Sequence, residues 1–250
     1  MLKNEFYEIL FETKSQKKID VSVCISLYNY ENKIIETLNA VKLQTYQKPD
    51  VIIVDDCSTD HSADLVTNWL ETNHHYFNNT ILCKHKKNSK LSATRNTAIS
   101  LSTTKYIFIL DADNIIYPSC IRKLRKAMIN ANASFAYSII ERFGAESSLM
   151  GLKPWNPFKL KNGNTIDAMV LHKRDILNQA GNYDENMIFG WEDYELWFRI
   201  ADINGWGVQV PEILAKYRVN ESSMLNTTTF KNEKKIWEYI KQKHKKYFSD

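Results

Sequence analysis

Short, mainly apolar runs alternate with amphipathic segments through the first half of this 250-residue chain. The runs at 20–27, 51–54 and 106–110 are rich in β-branched and aromatic residues, which is typical of strands buried on both faces of a parallel sheet. Apolar residues at helical spacing follow the first two runs. This alternation of strand and helix predicts an α/β fold in which a mainly parallel sheet is flanked by helices.

The other predicted elements rest on shorter patterns. Residues 143–164 lack periodicity and are rich in Gly and Pro, so we predict a long functional loop there. Residues 1–18 carry apolar side chains at helical spacing followed by lysines, which predicts an N-terminal helix and a connector. The remaining predictions are helices around 34–41, 63–70, 91–100, 119–130 and 173–180 and from 192 onward, and strands over 80–84, 135–140 and 165–172.

Three predicted strands end in polar or acidic side chains: Ser26, the pair Asp55-Asp56, and Asp111 with Asp113. Ligands of open α/β sheets bind beyond the carboxyl ends of the strands, so we expect these side chains to converge. Two carboxylates that follow a buried strand are costly unless positive charge meets them. A divalent cation that also holds a phosphorylated ligand, such as a nucleotide, meets this need. An acidic loop without a metal is the alternative interpretation.

The sequence contains few obvious groups that could neutralise the phosphate charge of such a ligand. The chain contains neither a G-x-G-x-x-G nor a G-x-x-x-x-G-K loop, so the metal and cations such as Arg95 must neutralise it. Farther along, Glu192 and Asp193 open a predicted helix beside Gly190 and Trp191. The helix dipole favours carboxylates at this position, so an ordinary charge bias explains them as well as a functional pair does. The neighbouring Trp191 favours function, because an aromatic ring beside carboxylates is a common platform for sugars.

Composition narrows the class of protein. With 44% hydrophobic residues, the chain is long enough to bury a full core. The net charge of +4 is too mild to indicate nucleic-acid binding. No run approaches the ~20 apolar residues that span a bilayer, and no apolar signal segment is present, so we expect a cytoplasmic protein or one peripheral to the inner face of the membrane. The four cysteines lack C-x-x-C spacing, which argues against zinc and disulfides.

In their order and spacing, these motifs resemble the family 2 glycosyltransferases of the GT-A fold. The resemblance runs from residue 21 to about residue 219. It begins with Ser26, Tyr28 and Asn29 at the end of the first strand. The other matching segments are 51–60 (VIIVDDCSTD), 93–96 (ATRN), 109–113 (ILDAD), 181–185 (GNYDE), 191–199 (WEDYELWFR), 210–212 (VPE) and 217–219 (YRV).

The resemblance implies a Rossmann-like, mixed and mainly parallel GT-A sheet, with a nucleotide-binding half at 19–117 and an acceptor-binding half at 118–225. It implies an inverting transfer from a nucleotide-diphosphate sugar, with a UDP-sugar as the first choice, to a glycan or lipid-linked acceptor in cell-surface polysaccharide or glycolipid synthesis. It also implies a Mn²⁺ or Mg²⁺ cofactor. The implied site residues are Ser26, Tyr28, Asp55, Arg95, Asp111 and Ala112 for the nucleotide, Asp113 and Asp111 for the metal, Trp191 and Glu192 for the acceptor, and Asp193 as the catalytic base.

One position departs from the pattern of this family. Many relatives carry a histidine shortly after the Tyr-Arg-Val segment that helps to hold the metal or the diphosphate, and here that position is Asn220. Asparagine is a poorer metal ligand, so a third protein ligand is in doubt. His172 and His85 are substitutes by residue type, but a structural role is the expected one for each.

The tail at 226–250 is predicted to be a basic amphipathic helix in which Ile236, Trp237 and Ile240 lie among lysines. Such a helix either lies on an anionic membrane through 230–248 or packs its apolar face on the domain, and both hypotheses stay open.

Two other functions compete with the transferase. A sugar-phosphate nucleotidyltransferase also ends strands in aspartates, but it needs a glycine- and arginine-rich loop that residues 26–33 lack. A degenerate, non-catalytic sugar- or nucleotide-binding module is disfavoured by the presence of Asp113 and Asp193, although Asn220 leaves it open. The donor sugar, the linkage and the oligomeric state have no recognisable signature in the sequence.

Overall fold

The computed structural model describes residues 5–220 and 225–248 and contains one central sheet with helices on both faces. The strands are β1 (Tyr7–Thr13), β2 (Val21–Leu27), β3 (Asp50–Asp55), β4 (Thr80–His85), β5 (Tyr106–Asp111), β6 (Ile115–Ile116), β7 (Phe135–Gly144), β8 (Ser148–Met150), β9 (Leu171–Lys173) and β10 (Gly207–Val219). The helices are α1 (Ile34–Lys42), α2 (Ser62–Asn73), α3 (Lys90–Leu101), α4 (Cys120–Asn130), α5 (Arg174–Ala180), α6 (Glu192–Asp202) and α7 (Glu233–Lys243).

The strand order within the described residues is β1-β4-β3-β2-β5-β9-β7-β10-β6, with β8 paired to β7. Strands β4, β3, β2 and β5 run parallel to one another, and so do β7 and β10. Strand β9 lies antiparallel between β5 and β7 and joins these two parallel groups. The mixed, mainly parallel sheet flanked by helices is therefore confirmed.

The core lies on both faces of the sheet, as the mainly apolar runs predicted. In β2, Val23 and Ile25 contribute to one apolar cluster and Cys24 to the other. Helices α1, α2 and α4 cover the first cluster, and α3, α5, α6 and α7 cover the second. Strands β2, β3 and β5 are thus held with their carboxyl ends at a common edge.

The predicted N-terminal helix is wrong. Residues 7–13 form β1, which pairs antiparallel with β4 at one end of the sheet, and residues 1–4 of the prediction lie outside the described residues. The spacing of apolar residues in this segment is compatible with a helix and also with a half-exposed edge strand. Backbone pairing with β4 favours the strand. The predicted strand at 165–172 is also wrong over most of its length, because only Leu171–Lys173 pair with other strands.

The second half contains strand structure that the sequence analysis did not predict. Strand β10 is 13 residues long and includes Pro211, a residue that normally argues against a strand. The register against β7 shifts between Val210 and Ile213, so the proline sits where the ladder is already interrupted. The predicted loop at 143–164 contains β8 and a 3-10 turn at Pro157–Asn162.

The C-terminal helix is present as α7, and its apolar face is packed. Ile236 and Ile240 are 3% and 0% exposed in the second core cluster, which supports the packing hypothesis for this helix. The predicted domain boundary falls at 225–226. Residues 221–224, just before it, and residues 249–250 lie outside the described residues. In the described part of the chain, every helix is too short or too polar to cross a bilayer.

Candidate active site

A cleft of about 1120 Å³ opens at the carboxyl ends of β2 and β5. Two of the predicted residues, Asp55 and Ala112, are fully buried and lie outside its lining. The predicted residues that line the cleft are Ser26, Tyr28, Arg95, Asp111, Asp113, Trp191, Glu192 and Asp193. The fold therefore brings most of the predicted site residues, from both halves of the chain, to one cavity.

The loop after β2 is fixed by the loop after β3. Asn29 has a φ of 56°, and its side-chain oxygen accepts the Thr59 amide hydrogen at 2.8 Å. Its own backbone N–H donates to the Ser58 hydroxyl oxygen at 2.9 Å. Asp55 accepts the Ser58 amide hydrogen and lies 3.5 Å from the Lys84 ammonium group. Asp55 thus shapes the loop beside Tyr28, and its direct contact with a base stays a prediction.

Asp56 holds the entry to α3, a role that the sequence analysis did not assign. Its carboxylate accepts the amide hydrogens of Ser89 and Lys90 at 2.7 and 2.8 Å and contacts His85 Nδ1 at 2.7 Å. His85 Nε2 lies 2.9 Å from the Thr97 hydroxyl. His85 is therefore structural, as expected.

The turn that carries Asp111 and Asp113 is fixed from two sides. The Thr37 hydroxyl is 2.9 Å from each of the Ala112 and Asn114 carbonyl oxygens, and Arg218 Nε donates to the Asp113 carbonyl oxygen at 3.1 Å. Burial and the neighbouring negative charge of Asp111 raise the pKa of Asp113 to about 7.

This carboxylate pair fits a divalent cation. Asp113 is only 7% exposed, so its negative charge is poorly hydrated and gains from a positive partner. Within residues 5–220 and 225–248, no group of three or more His, Cys, Asp and Glu side chains converges on one metal position. Ions such as Mg²⁺ commonly use one or two carboxylates and complete their shell with phosphate oxygens and water. Asn220 lines the same cleft.

Arg95 joins the two sides of the cleft. Its guanidinium is 2% exposed, donates to Asp111 at 2.8 Å and to Glu192, and lies 5.1 Å from the centre of the Tyr183 ring. The two carboxylates belong to β5 and α6. Arg95 thus fixes Asp111 relative to the first turn of α6, and a direct contact with a nucleotide stays a prediction.

The first turn of α6 presents Asp193 to the cleft. Trp191 has a φ of 60° and packs edge-on against Trp237 at 5.5 Å. Gly190 has a φ of 106°, and a side chain there would collide with the Thr229 hydroxyl. Asp193 accepts a hydrogen bond from the Asn164 side-chain amide at 3.0 Å. Burial, followed by the nearby carboxylates of Glu192 and Asp167, raises the pKa of Asp193 well above its ordinary value.

Asp167 is a cleft residue that the sequence analysis missed. It accepts the Met169 amide hydrogen at 2.9 Å, and burial raises its pKa to about 6. The available signal was a single carboxylate within the apolar segment IDAMVL, which had been assigned to a strand. His172, by contrast, is fully buried and stacked on Trp197 at 5.6 Å, away from the cleft.

Comparison with known proteins identifies relatives over most of the chain. The family model described as glycosyl transferase family 2 matches residues 22–182. An uncharacterized glycosyltransferase of Rickettsia conorii is 28% identical over 85% of this chain and 34% of its own length. The UDP-Glc:alpha-D-GlcNAc-diphosphoundecaprenol beta-1,3-glucosyltransferase of Escherichia coli is 26% identical over 88% of this chain and 85% of its own length. The chain thus spans about a third of the length of the Rickettsia conorii relative.

Solved structures support the predicted GT-A fold. Residues 1–349 of S. aureus TarS in complex with UDP-GlcNAc have a TM-score of 0.70 and 18% identity, over 84% of this chain and 61% of that one. A mannosyltransferase from Pyrobaculum calidifontis in complex with GDP-Man and Mn²⁺ has a TM-score of 0.66 and 17% identity, over 84% and 60%. At these identities, the likeness is one of fold.

Proposed function

This chain belongs to glycosyl transferase family 2, and we propose that it transfers a sugar from a nucleotide-diphosphate donor to an acceptor hydroxyl, with inversion at the anomeric carbon. The observation that carries the proposal is the pairing of carboxylates across one cleft. Asp111 and Asp113 follow β5, Glu192 and Asp193 open α6, and Arg95 connects the two pairs. One pair suits a metal and a leaving diphosphate, and the other suits an acceptor.

We place the donor on the side of β2 and β5. Ser26 and Tyr28 lie at the base, and Asp111 lies near the ribose. Asp113 and Asp111 would hold Mn²⁺ or Mg²⁺, and the chemistry supplied by the bound ion would be Lewis-acid neutralisation of the leaving diphosphate. A UDP-sugar is the preferred donor, since UDP-Glc and UDP-GlcNAc stand in the names of the E. coli relative and the TarS complex. GDP is the second choice, because of the mannosyltransferase complex.

We place the acceptor beside Trp191, with Asp193 as the base. The acceptor oxygen forms a bond to the anomeric carbon while the bond from that carbon to the diphosphate oxygen breaks. The electron pair leaves with the diphosphate, and the acceptor proton passes to Asp193. A carboxylate whose pKa is raised is a stronger base in its ionised form, and with a pKa of about 8 the ionised fraction of Asp193 increases as the pH rises from 7 to 9. Glu192, which accepts a hydrogen bond from Arg95, keeps the acceptor hydroxyl aligned with the anomeric carbon of the donor.

The acceptor class is a glycan or a lipid-linked sugar in cell-surface polysaccharide or glycolipid synthesis. The lipid-linked class is supported by the E. coli relative, whose name specifies GlcNAc-diphosphoundecaprenol. Such an acceptor implies work at the inner face of the membrane, where the exposed lysines of α7 can contact anionic lipid.

The test is calorimetric titration of UDP, GDP and CMP, each with and without Mn²⁺, into the wild type, Asp113→Asn and Asp193→Asn. We expect one nucleotide to bind in a metal-dependent manner, and we expect Asp113→Asn to lose that dependence. Asp193→Asn is expected to bind the nucleotide normally while hydrolysis of the matching nucleotide sugar falls at least ~100-fold. If no nucleotide binds under either condition, the non-catalytic module replaces this proposal.

A further inference from the structure

Four large apolar side chains line the cleft and remain exposed. Leu149 and Leu152 are 47% and 56% exposed, and Ile188 and Phe230 are 43% and 53% exposed. The leucines come from β8 and the turn after it, and the other two flank the contact between the Thr229 hydroxyl and the Phe189 carbonyl oxygen. We call these four residues the apolar rim. Exposed apolar surface that lines a cleft commonly marks a binding site.

A cation accompanies the apolar rim. Lys153 directly follows Leu152 and also lines the cleft, and its ammonium group has no ion-pair partner among the described residues. Its backbone is fixed, since the Tyr137 hydroxyl donates to its carbonyl oxygen at 2.8 Å. Arg142, which lines the same wall, is neutralised by Glu146 at 2.7 Å. The acceptor side therefore offers apolar surface next to an uncompensated positive charge.

We propose that the apolar rim and Lys153 bind the lipid end of the acceptor, an isoprenoid chain joined through a diphosphate to the accepting sugar. The apolar rim receives the first isoprene units, and Lys153 meets the diphosphate. An acceptor made of sugar alone leaves the four exposed apolar side chains without a ligand. The charge favours this lipid over a neutral one, because a single unpaired ammonium group beside apolar surface complements an anionic group at the end of a chain. This inference rests on the proposed transferase function.

The test uses pyrophosphate, geranyl diphosphate and farnesyl diphosphate as probes, titrated calorimetrically in the presence of Mn²⁺ and saturating amounts of the nucleotide identified above. We expect wild-type affinity to rise at least about tenfold from pyrophosphate to farnesyl diphosphate, as burial of a few methylene groups predicts. Leu149→Ser combined with Leu152→Ser is expected to abolish this dependence on chain length. Lys153→Gln is expected to weaken all three probes by a similar factor.

Two further variants keep the result interpretable. Leu43→Ser changes a leucine that is 64% exposed, more than either rim leucine, at the end of α1 and outside the cleft, and this variant is expected to bind every probe normally. Phe230→Ser replaces the double variant if the latter fails to fold, as judged by its melting temperature. Leu43→Ser losing as much affinity as the rim variants contradicts the proposal.

Three other outcomes overturn it. Affinity that is independent of chain length removes the role of the apolar rim. Farnesyl diphosphate that binds only when the nucleotide is omitted occupies the donor position. Weaker binding of the rim variants to phosphatidylglycerol vesicles, with unchanged farnesyl diphosphate affinity, makes the rim a membrane contact. In each of these cases the wild type still binds the nucleotide in a metal-dependent manner, so only the lipid-binding proposal fails. If the wild type shows no metal-dependent nucleotide binding, the proposed transferase function fails.

Discussion

Arg95 illustrates how a single buried side chain sets the spacing of the cleft. Its guanidinium contacts Asp111 on one side and Glu192 on the other, residues that are 81 positions apart in the chain. Removing one partner from a buried ion pair leaves charge without compensation, and this is costlier than never having formed the pair. Arg95 therefore matters for both the stability and the alignment of the site.

We predict that Arg95→Met lowers the free energy of unfolding by about 3–5 kcal/mol, because Asp111 and Glu192 both lose their buried cation. Urea denaturation at pH 7 measures this change. Arg122→Met is the matched control, since Arg122 is exposed on α4, and we expect a change within about 0.5 kcal/mol. Equal effects of the two variants contradict the role of the bridge.

Buried His172 makes the folding stability of the protein depend on pH. Burial lowers its pKa to about 3, and neither ring nitrogen has a hydrogen-bond partner among the described residues. The unfolded chain binds the proton more tightly, so wild-type stability is unaffected above about pH 6.5 and falls by up to about 1.4 kcal/mol per pH unit below it. We predict that His172→Leu flattens the stability profile between pH 7 and 5. Urea denaturation at both pH values tests this, with the exposed His61→Leu as control.

In its proposed role as a metal ligand, Asp113 would couple metal binding to protons. Because its pKa is raised to about 7, a Mn²⁺ ion bound there would have to displace a proton below neutrality. We predict that the affinity for nucleotide with Mn²⁺ is weaker at pH 6 than at pH 8, by up to about tenfold, while metal-free nucleotide binding changes little. Titrations in two buffers of different ionisation enthalpy detect the released proton. Equal Mn²⁺-dependent affinities at the two pH values speak against Asp113 as the ligand.

At the scale of elements, α7 and α6 are joined by a buried ionic network. Glu195, one turn after Glu192, contacts Lys243 and His244 at 2.9 Å each, and Lys243 also reaches Asp184. The tail that the sequence suggested as a membrane contact thus packs on the helix that carries Asp193. Any vesicle binding by α7 must therefore use its exposed lysines.

We predict that this network is lost in strong acid. Burial opposes ionisation of Glu195, but hydrogen bonds from His244, Arg199 and Lys243 lower its pKa to about 2. Its contribution, on the order of 3 kcal/mol, is complete above pH 4.5 and disappears as the pH falls toward 2. Glu195→Gln should be less stable than the wild type at pH 7 and show a smaller loss over that acid range. Tryptophan fluorescence, which reports on all six tryptophans including Trp237, follows acid unfolding, with Glu238→Gln on the exposed face of α7 as control.

Elements were predictable where the sequence pattern is local. The buried strands β2, β3 and β5 were predictable because most of their residues are apolar and β-branched or aromatic, so the local pattern alone indicates a strand. Strand β1 was assigned wrongly because its outcome depends on β4, which lies about 70 residues away. Strand β10 was missed because Pro211 hides a strand whose register shift accommodates it.

At the scale of the molecule, the sheet brings the two halves of the site together. Strand β9 connects β7 and β10 to the parallel group β4-β3-β2-β5, which carries the proposed donor side. The carboxylates at strand ends were predictable, because topology places such ends at one edge. The bridge by Arg95 and the position of Asp167 were not, since both depend on contacts across the finished fold.

The pairing of β1 with β4 has a consequence for trimming the chain. The family match begins at residue 22, which invites removal of everything before it. In such a shortened protein β4 keeps its pairing with β3, but its other edge along Thr80–His85, which carries Leu82 and Cys83, loses its partner strand. Unprotected strand edges recruit other chains. We predict that a version starting at residue 20 aggregates in light-scattering measurements, whereas one starting at residue 5 stays dispersed, and a dispersed shorter version contradicts this protective role of β1.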